Sequence, residues 1–216
     1  MSEPIQYIAI EGPIGVGKTT LAELLVKEFN YRLVLEEAEK NPFLPEFYKD
    51  RNKFAFQTQT YFLLSRYQQQ RELAQQDLFQ QGIVSDYIFA KDKIFASFNL
   101  SQDELILYES IYHLLDTRIL KPDLVIFLQA STEVLKERIK KRKVFYEKNI
   151  DFQYLENLAQ SYNHFFFSYN ETPLLVVNCS EIDFVEKFED YKNLLHEIMQ
   201  MNKQKLEKHY VSISSK

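Results

Sequence analysis

Short apolar runs alternate with longer amphipathic stretches along this chain. The nearly unbroken apolar run at 5–10 is typical of a strand that is buried on both faces of a parallel sheet. Four more strands are predicted at 32–36, 82–86, 123–129 and 173–178. The stretches between them have helical periodicity, most clearly at 18–29 and 52–78. The pattern therefore predicts an α/β fold with a five-stranded parallel sheet flanked by helices.

The chain length and composition favour one folded unit. With 216 residues, of which 45% are hydrophobic, the chain is long enough to bury one sizeable core. No repeat, low-complexity tract or linker divides it. We therefore expect a single domain over 1–202, followed by a flexible C-terminal tail at 203–216.

Several classes of protein are disfavoured by composition. The single cysteine, Cys179, excludes an internal disulfide, and no secretory signal is visible, so we expect a cytoplasmic protein. No apolar stretch approaches the roughly 20 residues of a membrane helix. A net charge of −5 argues against an extended nucleic-acid surface. The four histidines have no metal-ligand spacing with the cysteine. Small anionic ligands remain possible.

A phosphate-binding motif follows the first predicted strand. Residues 12–19 read GPIGVGKT, which matches the P-loop pattern GxxxxGK[ST] between a strand and a helix. Three of the four glycines lie here, where the backbone turns tightly against phosphate oxygens. The motif predicts ATP or GTP binding, with Lys18 at the β- and γ-phosphates and Thr19 at Mg²⁺. The nucleotide-binding residues predicted are Gly12, Pro13, Ile14, Gly15, Val16, Gly17, Lys18, Thr19 and Thr20.

A basic segment follows the fourth predicted strand. Six of the eight residues at 136–143 are Lys or Arg, and Arg138, Lys141 and Arg142 share one turn of a helix. An isolated run of this kind is more often a solvated face. Its place in a P-loop protein instead favours a lid, in which Arg138 and Arg142 contact ATP and stabilise the transferred phosphoryl group.

Four groups of short motifs follow the P-loop in a distinctive order. They are LEEA at 35–38 with NPFL at 41–44, FQTQ at 56–59 with LSR at 64–66, SDY at 85–87, and RIKKR at 138–142 with Glu147 behind it. In these residues the chain resembles the deoxyribonucleoside kinase family, in particular its bacterial deoxyadenosine/deoxyguanosine branch, from about residue 7 to 184. The resemblance implies ATP- and Mg²⁺-dependent phosphorylation of a deoxynucleoside 5′-hydroxyl, in nucleotide salvage. It also implies a homodimer.

The resemblance implies a general base at the end of the second strand. Such strand ends face the ligand crevice in α/β sheets, so the Glu36 carboxylate is placed to accept the proton of the attacking 5′-hydroxyl. Glu37 is a competing assignment, because this chain reads Glu36-Glu37-Ala38 where the family has an E-P-V-like sequence. Neighbouring strand residues face opposite sides, so one of the two glutamates faces the site.

The resemblance also implies residues that bind the substrate. Gln59 and Arg66, two turns apart on one helix face, would read the nucleobase by hydrogen bonding, with Arg66 held by Asp92. Tyr48 and Glu147 would bind the sugar 3′-hydroxyl. Aromatic walls of the base pocket are expected from Phe56 and Phe89.

Two positions depart from the family pattern. Asp86 would hold Mg²⁺, and Asp86 and Tyr87 would both contact the substrate. Tyr87, however, lies where the family often has an arginine. A tyrosine cannot supply that cation, so Asp92, Lys91 or the lid must compensate. Val144 likewise replaces a second lid arginine.

Two other functions share part of this pattern. A nucleoside monophosphate kinase, such as a thymidylate kinase, would have the same loop, sheet and lid but needs further arginines for the phosphate of its acceptor. A non-enzymatic nucleotide switch would need the P-loop without Glu36, Gln59, Arg66 and Asp92. The constellation of these four residues favours the deoxynucleoside kinase.

Overall fold

The parallel sheet has six strands instead of the predicted five. The computed structural model describes residues 5–75, 82–116, 119–142, 150–204 and 207–211. Within them the strands are β1 Tyr7–Glu11, β2 Arg32–Val34, β3 Ile83–Ser85, β4 Leu124–Gln129, β5 Leu174–Asn178 and β6 Lys208–Val211. The helices are α1 Lys18–Phe29, α2 Leu44–Lys49, α3 Arg51–Gln75, α4 Lys91–Asn99, α5 Gln102–Asp116, α6 Thr132–Arg142, α7 Phe152–Ser168 and α8 Phe188–Gln204. A short 3₁₀ turn, Ala38–Lys40, precedes α2.

The strand order is β2-β3-β1-β4-β5-β6, and every pairing is parallel. β1 lies inside the sheet, where Ile8 is in register with both Val84 and Leu124. All five of its residues are buried, which explains why its first four residues are apolar. The predicted α/β fold with a helix-flanked parallel sheet is confirmed.

The sheet separates two layers of helices. Successive strand residues point to opposite faces, so Ile8 and Ile10 pack in one core cluster with α1 and α8. Tyr7 and Ala9 pack in a second cluster with α3, α4 and α7. The prediction for α1 is confirmed at both ends. The predicted helix at 52–78 corresponds to α3, Arg51–Gln75, and its last three predicted residues lie outside the described residues. Within the described ranges no helix is long and apolar enough to cross a bilayer.

The sixth strand lies within the segment predicted to be a flexible tail. β6 adds to the edge of the sheet next to β5, with Val177 in register with Val211. The Val211 side chain is buried in the core, while its neighbour Tyr210 is 60% exposed. The tail prediction is therefore wrong for Lys208–Val211. An edge strand of four residues, two of them polar, has too short an alternation to be recognised in a sequence.

Candidate active site

The phosphate-binding loop joins the end of β1 to the start of α1. Gly15 and Gly17 have φ values of 83° and 109°, which side chains with a Cβ rarely adopt. Lys18 begins α1, and its Nζ donates to the carbonyl oxygens of Gly12 at 2.8 Å and Pro13 at 3.2 Å. Burial, and to a smaller extent the nearby Lys91, lower the pKa of Lys18 to about 8. The lysine thus lies folded along the loop.

The two residues predicted to hold Mg²⁺ are in direct contact. Thr19 Oγ1 donates to Asp86 Oδ2 at 2.7 Å, although the two residues lie 67 positions apart. Asp86 follows β3, and its other carboxylate oxygen accepts a hydrogen bond of 2.7 Å from the backbone N–H of Glu36. One carboxylate therefore connects the phosphate-binding loop to the segment that carries the predicted base.

Glu36 belongs to a group of closely spaced, largely buried acidic and basic residues that we call the charge cluster. The cluster contains three carboxylates and two cations, namely Glu11, Glu36, Arg66, Lys91 and Asp92. Arg66 donates to both Glu36 and Asp92, and Lys91 Nζ lies 2.8 Å from Glu36 Oε2. Burial raises the pKa of Glu36, but Arg66 and Lys91 outweigh it and hold this pKa well below its usual range. Glu36 is thus an ionised acceptor.

The geometry separates Glu36 from Glu37. β2 ends at Val34, so both glutamates follow the strand instead of ending it. Glu36 lines the pocket with Lys18 and Thr19. Glu37 pairs with Lys40 at 2.7 Å, and its side chain is 42% exposed. The sequence left open whether Glu36 or Glu37 is the base, and the position of Glu36 is the one that fits this role.

Glu36 faces a narrow pocket that begins at the phosphate-binding loop. The pocket also contains the predicted substrate-binding residues Tyr48, Gln59 and Arg66, together with Asp86. Its volume is about 140 Å³, below the roughly 300–1,000 Å³ of most ligand pockets. The pocket is thus smaller than most pockets that hold a small-molecule ligand.

The aromatic walls of the pocket differ from the prediction. Phe89 packs on Tyr112 with ring centroids 5.1 Å apart, and Phe56 packs in the same separate cluster beside α5. The expectation that Phe56 and Phe89 line the base pocket is wrong, because both pack in this separate cluster and neither lines the pocket. The aromatic residues that line the pocket are Phe47, Tyr48, Phe62, Phe95 and Tyr154.

Several predicted site residues lie behind the pocket or outside the described structure. Tyr87 is fully buried, donates its hydroxyl to Gln69 Oε1 at 2.8 Å and does not line the pocket. Asp92 supports Arg66 from behind. Glu147 lies outside the described residues, as do Lys143 and Val144.

The basic helix lies against a second pocket next to the phosphate-binding loop. This pocket, about 440 Å³, is lined by residues 15–20 together with Arg138, Lys141 and residues 182–186. Arg138 donates to the carbonyl oxygens of Val16, Cys179 and Ile182 at 3.0 to 3.3 Å. Its guanidinium thus links the loop to the segment after β5. Arg142 is the last residue of α6, and its side chain is not described.

Glu11 is a buried site residue that the sequence analysis did not identify. Its carboxylate accepts hydrogen bonds from Gly12 N at 2.9 Å, Ile88 N at 3.1 Å and the Tyr162 hydroxyl at 3.1 Å. The carboxylate also lies 3.9 Å from Lys91 Nζ. The sequence did contain a signal for this residue, namely a glutamate between the apolar run at 5–10 and the P-loop. The apolar run was interpreted as an ordinary buried strand, so the glutamate at its end was not considered.

Comparison with known proteins identifies the family of this chain. The sequence model of the family described as deoxynucleoside kinase matches residues 8–203. A deoxyguanosine kinase of Bacillus subtilis (strain 168) is 36% identical over 200 residues, which cover 90% of this chain and 97% of the relative. A deoxyadenosine kinase of Dictyostelium discoideum is 38% identical over 182 residues, or 81% of this chain and 73% of the relative. The solved structure of a deoxyadenosine kinase from M. mycoides with bound dATP has a TM-score of 0.78 and 27% identity, covering 90% of this chain and 99% of that one.

The Glu11 contacts generate a prediction about stability. Glu11→Gln replaces one accepting oxygen by an NH₂ group that faces a donor, so we expect the free energy of unfolding to fall by about 2 kcal/mol. Urea denaturation measures this change. Glu28→Gln, at an exposed position of α1, is the control and should stay within about 0.5 kcal/mol of the unmodified protein. Equal stability of the two variants would contradict the assigned hydrogen bonds.

Proposed function

The chain belongs to the deoxynucleoside kinase family and is an enzyme of that class, and from this premise we propose that it transfers the γ-phosphoryl group of ATP to the 5′-hydroxyl of a purine deoxyribonucleoside. The observation that carries the proposal is one continuous pocket. It contains Lys18 and Thr19 of the phosphate-binding loop together with Glu36, Gln59 and Arg66. The residues proposed to bind the phosphoryl donor and those proposed to bind the nucleoside acceptor therefore line one pocket.

Glu36 is the proposed general base. Each of its oxygens has one cationic partner, Arg66 on Oε1 and Lys91 on Oε2. A carboxylate oxygen has a second lone pair, which is available to the substrate hydroxyl. A carboxylate with a lowered pKa is a weak base, but phosphoryl transfer through a loose transition state depends more on positioning and charge stabilisation than on base strength.

Gln59 and Arg66 are the proposed readers of the nucleobase. Both are buried residues of α3 and line the pocket. The Gln59 amide offers a donor and an acceptor, and Asp92 fixes the guanidinium of Arg66. Tyr48 lines the same pocket and is the proposed partner of the sugar 3′-hydroxyl, with Glu147. The preference for deoxyadenosine or deoxyguanosine is supported by the names of the relatives.

Thr19 and Asp86 are the proposed Mg²⁺ ligands. A hydroxyl and a carboxylate oxygen within 2.7 Å of each other beside the phosphate-binding loop form a donor set of the hard oxygen type that Mg²⁺ prefers. When bound, Mg²⁺ neutralises charge on the phosphates of ATP. The residues therefore fit the ion.

The second pocket is the proposed site for the rest of ATP. Gly15, Gly17 and Thr20 line it together with Arg138. The backbone N–H groups at the start of α1 favour an anion there. We assign Arg138 to this site and keep Arg142 as a proposed lid residue, which would stabilise the transferred phosphoryl group if the lid closes.

The comparisons do not favour the two alternatives considered from the sequence. The matched family and the relatives named above are kinases of deoxynucleosides, not of nucleoside monophosphates or non-enzymatic switches.

The substrate proposal is tested by ATP consumption against the common deoxynucleosides, their ribose counterparts and the 5′-monophosphates. We expect the highest turnover with deoxyguanosine or deoxyadenosine and loss of turnover when Mg²⁺ is chelated. 2′,5′-Dideoxyadenosine is the matched control, because it lacks the accepting hydroxyl and should not be phosphorylated. Turnover with monophosphates alone, or with none of these compounds, would refute the proposal.

The role of Glu36 is tested by paired variants. Glu36→Gln removes the proton acceptor, so turnover should fall by roughly 10² or more while the KM for ATP stays close to that of the unmodified enzyme. Glu37→Gln, at the exposed neighbour, should leave turnover nearly unchanged. Steady-state kinetics of both variants distinguishes the assignments, since the opposite result would transfer the role to Glu37.

A homodimer is proposed for the assembly. A groove of about 700 Å³ runs between α4, α5 and α7 and has Ile94, Phe98 and Phe165 among its lining residues. Apolar side chains of α5 are also exposed, among them Ile106 and Leu114. Light scattering after size exclusion should give twice the chain mass of 25.8 kDa. A mass equal to one chain at micromolar concentration would contradict the proposal.

A further inference from the structure

Lys91 is a buried lysine in the pocket that no proposed step above uses. It is the first residue of α4, is 4% exposed and lines the pocket with Glu36. Lysine is almost never fully buried unless it is paired. Its Nζ lies 2.8 Å from Glu36 Oε2 and 3.9 Å from Glu11 Oε1. The ammonium group therefore lies between the proposed base and the end of β1.

The surroundings of Lys91 hold it in this place. Its backbone N–H donates to Ile88 O at 3.1 Å, and the N–H of Ile88 donates to Glu11. The next residue, Asp92, is bound by Arg66. Burial lowers the pKa of Lys91, but Glu11 and Glu36 outweigh it and raise this pKa above its usual value. Lys91 is thus a fixed positive charge.

The other cations that line this pocket, within the described residues, have partners besides Glu36 or instead of it. Lys18 donates to carbonyl oxygens of its own loop. Arg66 divides its guanidinium between Glu36 and Asp92 and is also the proposed reader of the nucleobase. Tyr87 contributes no cation, and its hydroxyl is bonded to Gln69. Lys91 is the cation that joins Glu36 to the phosphate-binding side of the pocket through Glu11.

We propose that Lys91 is a positioning residue, which orients the Glu36 carboxylate toward the phosphate-binding loop and supplies a buried positive charge beside it. This inference rests on the proposed role of Glu36 as base. By holding Oε2 it directs the remaining lone pairs of Glu36 to the acceptor hydroxyl. A displacement of about 1 Å in such a group is enough to slow a reaction by roughly 10²-fold.

A structural role is the alternative that the test must exclude. Lys91 also neutralises Glu11, so its removal affects the stability of the charge cluster whatever its role in the reaction. A residue that acts through Glu36 loses its effect on kcat when Glu36 cannot accept a proton. A double-mutant cycle measures this coupling directly.

The experiment compares kcat and KM for the unmodified enzyme, Lys91→Met, Glu36→Gln and the double variant, with the preferred deoxynucleoside. We expect Lys91→Met to lower kcat at least about tenfold when Glu36 is present and less than about twofold in the Glu36→Gln background. The KM for ATP should change little in either. Lys91→Arg, which keeps the charge, should recover most of the lost kcat. Lys27→Met is the control, because Lys27 lies at an exposed position of α1 and lines neither the pocket nor the groove.

Three results would overturn the inference. They are an equal loss of kcat in both backgrounds, a loss confined to the KM for ATP, or a kcat for Lys91→Met within twofold of the unmodified enzyme. If Lys91→Met does not fold, Lys91→Gln replaces it and tests the charge alone, because glutamine still donates a hydrogen bond to Glu36. The same contrast in kcat between the two Glu36 backgrounds is then expected. Failure of the proposed function is distinguishable, since the unmodified enzyme would then not phosphorylate any deoxynucleoside.

Discussion

The ion pairs of Glu36 with Arg66 and Lys91 are the interaction on which the rest of the site depends. Buried charges are costly unless each has a partner, and loss of one partner leaves another charge unpaired. Three carboxylates and two cations come together here from β1, the segment after β2, α3 and α4. Ion pairs therefore fix these elements relative to one another. An apolar core of the same volume would also stabilise the fold, but it would provide no charged groups to bind a substrate.

The parallel sheet makes this arrangement possible. The carboxyl ends of its strands meet at one edge, where ligands bind in open α/β folds. Glu11 ends β1, Glu36 lies two residues after β2, and Asp86 directly follows β3. Three acidic side chains from neighbouring strands thus reach the phosphate-binding loop. Asp86 connects the phosphate-binding loop to the segment after β2, because it accepts hydrogen bonds from Thr19 and from the backbone of Glu36.

The features that the sequence predicts correctly are those encoded by a long periodic pattern or by a motif of consecutive residues. The phosphate-binding loop is encoded in eight consecutive residues, and α1 begins where its last glycine ends. The pairing of Arg66 with Asp92, implied by the family resemblance, is present in the structure. Position within a pocket is a tertiary property, and it separates Glu36 from Glu37 although the two are adjacent in sequence.

Other features depend on contacts that no local pattern encodes. The strand β6 is short and lies at an edge, so pairing with β5 defines it more than its own composition does. Phe56 and Phe89 were expected at the base, but both pack in a separate cluster that includes Tyr108 and Tyr112 of α5. Glu11 and Lys91 are single charged residues within or beside apolar segments. Their importance becomes visible once the chain brings them within 3.9 Å of each other.

The central claim is that Glu36 faces the reacting hydroxyl of a nucleoside bound in the pocket that also contains Lys18. A crystal structure with a deoxynucleoside and a non-hydrolysable ATP analogue tests it most directly. The account predicts that the 5′-oxygen lies about 2.6–3.2 Å from a Glu36 carboxylate oxygen, with the nucleobase against Gln59. A 5′-oxygen beside Glu37, or a nucleoside bound outside the pocket shared by Lys18 and Glu36, would contradict it.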